Sequence, residues 1–326
     1  MELTTVWFAV IAFLWTGYFV LEGFDFGVGV LLPFLGRDEP RRRAMLATIG
    51  PVWDGNEVWL IVAAGAMFAA FPDWYATVFS GFYLPMLLML VALILRGLGL
   101  EYRGKRDDAR WRRRWDAAVF GGSLVPAVLW GVVFGDIAGG LPVDAAGEYT
   151  GGLTDLLNPY ALLGGATTLT LFVTHGAMFL ALKTSGDVRD RARRYAIGAG
   201  CAAAGSGAAF VTWTLLRSPG AVALALAVAA VAALTFGLAA ARVGREGWGF
   251  AGTTAAVGLV FVVLFWTLFP ELLPSTTNPS YALTVANAAS SPYTLKVMSW
   301  FAVVFTPLVL LYQGWTYWVF RRRVAA

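Results

Sequence analysis

The sequence has few charged residues and almost none of the side chains that hold metals. Only 13% of its 326 residues are charged, about half the share typical of a soluble domain. It has one histidine, His175, and one cysteine, Cys201. These counts exclude a disulfide within the chain, a zinc cluster and a haem held between two histidines of this chain. A redox metal that works with this chain must be held elsewhere or by unusual ligands.

Hydrophobic residues, in contrast, make up 59% of the sequence and concentrate in long runs. Crossing a bilayer takes about 20 mostly apolar residues, and nine segments qualify. We predict an all-α, polytopic membrane protein that forms one integral membrane domain, with two four-helix bundles and one peripheral helix. The predicted spans cover residues 4–35, 44–70, 75–100, 116–136, 159–182, 193–215, 219–241, 249–271 and 293–320.

The basic residues lie almost entirely on one side of these spans. Of the 24 Lys and Arg residues, all but Arg217 and Lys296 fall on that side. Because basic loops stay in the cytoplasm, we expect the N-terminus outside the cell and the C-terminus in the cytoplasm. The run WRRRW at residues 111–115 predicts contact with anionic membrane lipid rather than nucleic acid. The acidic loop at residues 137–158 would be solvated or would contact a partner.

The first two spans carry four acidic residues at depths where charge is costly: Glu22, Asp25, Asp54 and Glu57. A charged side chain at the bilayer centre costs about 2.5–3.5 kcal/mol on insertion scales. Within each span the two acids are three residues apart, so they share one helix face. A rise of 1.5 Å per residue puts Asp25 and Asp54 roughly 16 Å from the connection near residues 36–43, and Glu22 and Glu57 roughly 21 Å from it.

If the first two spans are antiparallel neighbours, Asp25 faces Asp54 and Glu22 faces Glu57. Four carboxylates in a low dielectric cannot all be ionised, so they would bind and release protons as a unit. This chemistry suits a proton relay or a cation site. Alternatively, the acids bond to helix backbones or pair with a basic residue of a partner subunit.

Polar and aromatic neighbours of these acids predict a narrow, partly wet crevice. Pro51 removes one backbone hydrogen bond of the second span and leaves the Ala47 carbonyl free, and a free carbonyl at that depth needs water or a polar partner. Trp53, Asn56 and Trp59 would line the crevice.

We predict structural roles for the other polar residues of the spans. His175 could ligate a metal, relay a proton or hydrogen-bond across helices, and for a lone histidine we favour the last. Gln313 is expected to bond a neighbouring helix rather than a ligand. Arg96, Glu101 and Asp136 fall near span ends, where their side chains can reach water. We expect no metal bound by this chain.

Two motifs make the sequence similar to a known family. Residues 23–29 (GFDFGVG) and 53–60 (WDGNEVWL) resemble subunit II of the cytochrome bd-type quinol oxidases. Further similar stretches cover nearly the whole chain, at residues 79–83, 122–126, 157–159, 290–291 and 294–298.

The resemblance implies a subunit of a respiratory complex in the bacterial cytoplasmic membrane that oxidises quinol and reduces dioxygen to water. It implies that two b-type haems and one d-type haem are held by a larger subunit I, and that this chain ligates none of them. A bound quinone and small accessory subunits are further expectations. Asp25 and Asp54 match the motif acids of the proposed proton path, and Trp53 and Asn56 match their neighbours.

Glu22 and Glu57 depart from the family pattern, which has Asp and Gln at these positions, so their separate roles stay open. Two other functions also stay open. One is a secondary transporter that uses the acids as a cation or proton coupling site, although no pair of broken helices stands in corresponding halves. The other is a purely structural subunit whose acids dock a partner.

Overall fold

A computed structural model of the chain describes residues 2–325 and consists of long helices that run back and forth between two ends. The prediction of an all-α protein is confirmed, with one two-stranded sheet added. The helices are α1 (Leu3–Leu35), α2 (Glu39–Ile49), α3 (Trp53–Ala70), α4 (Pro72–Gly81), α5 (Tyr83–Tyr102), α6 (Ala109–Gly139), α7 (Pro159–Lys183), α8 (Gly186–Arg217), α9 (Ala221–Arg242), α10 (Glu246–Leu268) and α11 (Pro292–Val319). Strands β1 (Glu271–Leu273) and β2 (Leu283–Thr284) pair antiparallel.

Side-chain caps begin several of these helices where the chain turns back. Asp38 accepts a hydrogen bond from the Arg41 amide at the start of α2, and Asn158 does the same for Ala161 at the start of α7. Ser291 caps α11 by accepting from the Thr294 amide. Each cap satisfies one of the N–H groups that the first turn of a helix leaves unpaired.

Eight helices of the described chain are long and apolar enough to cross a membrane, compared with the nine spans predicted. The difference lies in the second predicted span, 44–70, which the structure divides into α2 and α3 by a turn at residues 50–52. Pro51 lacks the N–H that a continuous helix would use there. The remaining helix, α3, is short, and Asp54, Asn56 and Glu57 lower its hydropathy. The third predicted span, 75–100, is also divided, into α4 and α5.

Helix α1 lies at the centre of the fold, where it packs against α3, α6, α7 and α10. Its crossing with α7 is close, because a Cβ at Gly27 would overlap the Phe172 carbonyl and one at Gly176 would lie 2.5 Å from the Gly27 carbonyl carbon. Gly131 meets Gly164 in the same way where α6 crosses α7. Glycine at positions 27 and 131 therefore allows the backbones of these helices to approach closely.

The two ends of the bundle differ in charge. At one end, which we call the basic end, Arg41 of α2 pairs with Asp187 of α8 at 2.9 Å and Arg323 reaches Glu246 at 3.7 Å. At the other end, the two long loops join, since the Leu141 amide donates to the Pro274 carbonyl at 3.0 Å. The bundle therefore has a basic end and a neutral to acidic end.

Candidate functional site

Acidic side chains from α1 and α3 surround one arginine from α5 inside the bundle. Arg96 Nη1 lies 2.7 Å from Glu22 Oε2 and 4.0 Å from Glu57 Oε2, and Arg96 Nη2 lies 4.0 Å from Asp25 Oδ2. Glu22, Asp25 and Arg96 are all fully buried, at 0% exposure. We call Glu22, Asp25, Glu57 and Arg96 together the acid cluster. It contains up to three negative charges and one positive charge.

The prediction that Arg96 reaches water near a span end was wrong. Helix α5 continues to Tyr102 and a 3₁₀ turn extends it to Lys105. Arg96 thus lies nine residues before Lys105, or roughly 14 Å inside the basic end of the bundle. This is close to the depth expected for Asp25. Its guanidinium also lies over the Phe26 ring, 4.8 Å from the centroid. An arginine at this depth is costly unless acids pair with it, and the cluster provides three.

Of the two predicted facing pairs of acids, Asp25 and Asp54 do not face each other, whereas Glu22 and Glu57 both lie within 4.0 Å of the same Arg96 nitrogen, Nη1. Asp25 Oδ2 accepts a hydrogen bond from Asn56 Nδ2 at 2.7 Å, so Asn56 occupies the place expected for Asp54. Asp54 is exposed on the outer face of α3, and Glu57 is partly buried, with 21% of its side chain exposed. The turn at residues 50–52 explains this difference, because it uses residues that the depth estimate had counted as helix.

Asn56 is held from its other side by two residues of α11. Gln313 Nε2 donates to Asn56 Oδ1 at 3.1 Å, and the Tyr317 hydroxyl donates to the same oxygen at 2.7 Å. Gln313 Oε1 in turn accepts from the Trp59 indole at 2.6 Å. The predicted interhelical bonding of Gln313 is thus confirmed. Trp53 packs instead against α5, where a Cβ at Gly97 would lie 3.2 Å from its ring.

Several polar atoms of the acid cluster have no hydrogen-bond partner within residues 2–325. They are Glu22 Oε1, Asp25 Oδ1, Arg96 Nε and Arg96 Nη2. Unpaired polar atoms at zero exposure are costly, and three carboxylates around one arginine are neutral only when two protons are bound. The arrangement is therefore suited to holding and exchanging protons.

Two other polar residues predicted to be structural are engaged within the fold. His175 bonds through Nδ1 to Thr253 Oγ1 at 2.8 Å and through Nε2 to the Val20 carbonyl at 3.2 Å, so its predicted bonding across helices is confirmed. Asp136 does not reach water as predicted. It is 2% exposed and accepts from Asn158 Nδ2 at 2.6 Å.

The histidine of this chain is not free to act as a haem ligand. His175 is the sole histidine of the sequence, both of its ring nitrogens are engaged, and the ring stacks on Phe250 at 4.6 Å. A quinone does not fit the cavity between α7, α8, α9 and α10 either. This cavity measures about 60 Å³, whereas small-molecule sites usually measure about 300–1,000 Å³. Thr235 lines it, but its hydroxyl bonds to the Val231 carbonyl of its own helix.

A second group of charges joins three helices at the basic end. Arg103 donates two hydrogen bonds to Glu39 of α2, at 2.8 and 2.9 Å, and bonds to Asp116 of α6. The hydrogen bonds from Arg103 hold the pKa of the Glu39 carboxyl below its ordinary value. This network fixes the ends of α2, α5 and α6, and so sets the position of α5, which carries Arg96.

The outer face of α3 and α5 is apolar except near Asp54. Large hydrophobic side chains on it are more than 40% exposed, and Asp54 and Gly55 are exposed beside them. An exposed carboxylate within an apolar membrane face is costly in lipid. The exposed side chains are Val58, Ile61, Val62, Phe68, Leu84, Leu87, Leu88, Leu90, Val91, Ile94 and Leu95.

Comparison with known proteins gives consistent results over the whole chain. The sequence model of the family described as "Cytochrome bd terminal oxidase subunit II" matches residues 3–320. The chain is 43% identical to the "Cytochrome bd ubiquinol oxidase subunit 2" of Bacillus subtilis, over 99% of this chain and 97% of that protein. It is 35% identical to the "Cytochrome bd-I ubiquinol oxidase subunit 2" of Escherichia coli K12, over 96% and 93%.

The fold is also similar to a solved structure. A chain of the bd oxidase from Geobacillus thermodenitrificans superposes with a TM-score of 0.79. The superposition covers 98% of this chain and 97% of that one, at 17% sequence identity. At that identity the likeness concerns the fold alone.

Proposed function

Because this chain belongs to the cytochrome bd terminal oxidase subunit II family, we propose that it is the second subunit of a bacterial membrane quinol oxidase that reduces dioxygen to water. The relatives are named as subunits of ubiquinol oxidases. By its resemblance to this family, the two b-type haems and the d-type haem belong to a larger partner subunit. The engagement of both ring nitrogens of the one histidine here supports this assignment. This chain contributes no axial ligand, and its own chemistry concerns protons.

The acid cluster is the part of this chain that handles protons. The observation that supports this role is a set of three carboxylates around one arginine, of which Glu22 and Asp25 are fully buried. Within residues 2–325, Glu22 Oε1 and Asp25 Oδ1 have no hydrogen-bond partner. Asp25 and Glu22 hold protons deep in the bundle. Glu57 is partly exposed on α3 and passes protons towards the outer face of that helix.

Asp54 and the apolar face of α3 and α5 point to where the partner docks. Burial against a protein surface removes the apolar side chains from lipid, and a polar or basic group of the partner compensates the Asp54 charge. The haem-bearing subunit is the occupant that satisfies both requirements, because protons leaving Glu57 must reach the site of oxygen reduction. Trp53 and Asn56 support the same path from the helix that carries Glu57.

The charge asymmetry of the two ends supports the orientation of the path. With the basic end in the cytoplasm, Asp25 and Glu22 take up protons from the cytoplasmic side. Quinol oxidation on the opposite side releases protons outside the cell. The complex then builds a transmembrane potential without pumping, because protons are consumed on one side and released on the other.

The variant Asp25→Asn in the intact complex tests this function. Asn has almost the same shape as Asp and cannot carry a proton, so quinol oxidase turnover should fall by about 10²-fold while the haem spectrum stays normal. The matched control is Asp107→Asn, the same exchange at an exposed acid of the basic end, which should turn over normally.

Normal turnover of Asp25→Asn with full haem content would contradict the proton role. Loss of haem or of the partner subunit would instead show that the acid cluster serves assembly. The double variant Asp25→Asn/Asp54→Asn should add a loss of partner association, measured as the ratio of the two subunits after purification.

A further inference from the structure

A chain of four hydrogen-bonding groups links α11 to Asp25. It runs from the Trp59 indole to Gln313, from Gln313 to Asn56, and from Asn56 to Asp25, with donor to acceptor distances of 2.6, 3.1 and 2.7 Å. Tyr317 adds a second donor to Asn56 Oδ1. Asn56 is fully buried, whereas Gln313 is partly buried.

The Trp59 indole fixes the direction of this series of hydrogen bonds, that is, which group donates and which accepts at each step. An indole N–H can only donate, so Gln313 must turn its carbonyl oxygen Oε1 towards Trp59. Its amino group Nε2 then faces Asn56 and can only donate. Asn56 must in turn present Oδ1 to α11 and Nδ2 to Asp25. A reversed Asn56 amide would place its Nδ2 against the Nε2 donor of Gln313.

We infer that Gln313 and Trp59 are positioning residues that force Asn56 to donate to Asp25 Oδ2, so that the proton exchanged by Asp25 is carried on Oδ1. This inference rests on the proposed function of the acid cluster. Asp25 Oδ1 has no hydrogen-bond partner in the described chain, whereas Oδ2 is occupied by the Asn56 donor. The orientation of the Asn56 amide therefore leaves Oδ1 as the Asp25 oxygen that binds and releases the proton.

The position of α11 depends on a few polar anchors, which makes this role testable. Of its residues within the described chain, α11 buries only Leu295. The Trp7 indole donates to the Leu295 carbonyl and to Ser299 at 3.2 and 3.1 Å. Beyond the far end of α11, the Val324 amide donates to the Lys183 carbonyl at 2.7 Å. These contacts hold α11 independently of Gln313, so changing Gln313 need not detach the helix.

The variant Gln313→Leu in the intact complex removes the hydrogen bond that fixes the orientation of the Asn56 amide. Asn56 can then reverse and accept from a protonated Asp25, which favours a proton on Oδ2. In the infrared difference spectrum, the C=O band of protonated Asp25, identified by its loss in Asp25→Asn, should move to higher frequency because its carbonyl oxygen loses the Asn56 donor. The alkaline limb of the turnover profile should move up by about one pH unit.

The surrounding titratable and charged groups must be unchanged for that comparison. They are Glu22 on α1, Glu57 on α3, Arg96 on α5, Tyr317 on α11 and, on α7, His175, which bonds to other residues.

Trp59→Phe is the second variant, because it also frees Gln313 to reverse while it keeps a ring against Gly17. It should shift the band in the same direction. Tyr317→Phe keeps the direction set by Gln313, so its band should stay at the wild-type frequency. Tyr312→Phe, on the exposed side of α11, is the matched control and should match wild type in band and pH profile.

An unshifted band and pH profile in both Gln313→Leu and Trp59→Phe would overturn the inference, provided that Asp25→Asn slows turnover. If Asp25→Asn turns over normally, the proposed function itself fails, whatever the band does. An equal band shift in Tyr317→Phe would also overturn it, because a loss of direction could not then be the cause.

Discussion

Removing Arg96, the arginine at the centre of the acid cluster, should lower the stability of the folded protein strongly. Arg96→Leu leaves Glu22, at 0% exposure, without the partner that lies 2.7 Å away. It also removes the only positive charge within 4.0 Å that the described chain provides for Asp25 and Glu57. Breaking a buried ion pair from one side costs about 3–5 kcal/mol, because the remaining charge is buried and uncompensated.

The double variant Arg96→Leu/Glu22→Leu separates loss of charge compensation from loss of packing. Replacing both members of a buried pair by apolar residues is often close to neutral. Asp25 and Glu57 still lose their neighbour, but at 4.0 Å each they depend on it less than Glu22 does. We expect the double variant to recover about 2–3 kcal/mol of what Arg96→Leu loses.

Denaturant unfolding of the detergent-solubilised complex, followed by tryptophan fluorescence, measures both free energies under the same conditions. The account requires Arg96→Leu to be the less stable of the two variants. If the double variant is no more stable than Arg96→Leu, or if Arg96→Leu is as stable as wild type, the cluster is not held by this ion pair and the reasoning fails.

Two further predictions concern the frame around the site. Gly27→Ala should prevent stable assembly, because its Cβ would overlap the Phe172 carbonyl of α7. Gly198→Ala should assemble normally, because no atom of residues 2–325 lies within 4 Å of its Cβ; subunit yield after purification checks both variants. Glu39 has a lowered pKa in the fold, so its bonds to Arg103 contribute stability above pH 4.5, its ordinary value, and this contribution disappears as the pH falls. Unfolding midpoints of wild type and Glu39→Gln should therefore differ at pH 7 and converge as the pH falls below the lowered pKa of Glu39. A difference that persists there would contradict the ion pair.

The sequence predicts the helical class and the acids of α1 because these depend on local pattern. Runs of apolar residues define membrane helices, and a three-residue spacing puts Glu22 and Asp25 on one face wherever that helix packs. Gln313 and His175 were likewise predicted to bond across helices, since a polar group deep in a span has few other options.

Two features of the site depend on where helices begin and end, and there the sequence estimate fails. The Gly50-Pro51 pair is a turn signal, and the turn it forms shifts α3 so that Asn56, rather than Asp54, meets Asp25. Arg96 was missed because α5 was expected to end near residue 100. A helix that continues through Glu101 and Tyr102 puts Arg96 at the depth of the acids. A lone arginine within an apolar run was the available signal.

Proton uptake by the complex tests the central claim most directly. With the oxidase reconstituted in vesicles so that the basic end faces a trapped pH dye, one turnover with dioxygen should consume protons from that side in wild type. In Asp25→Asn, with matched haem content, this uptake should slow by about 10²-fold, as expected for a lost proton-transfer group. Uptake at the wild-type rate in Asp25→Asn would contradict the claim that the acid cluster of this chain delivers the protons.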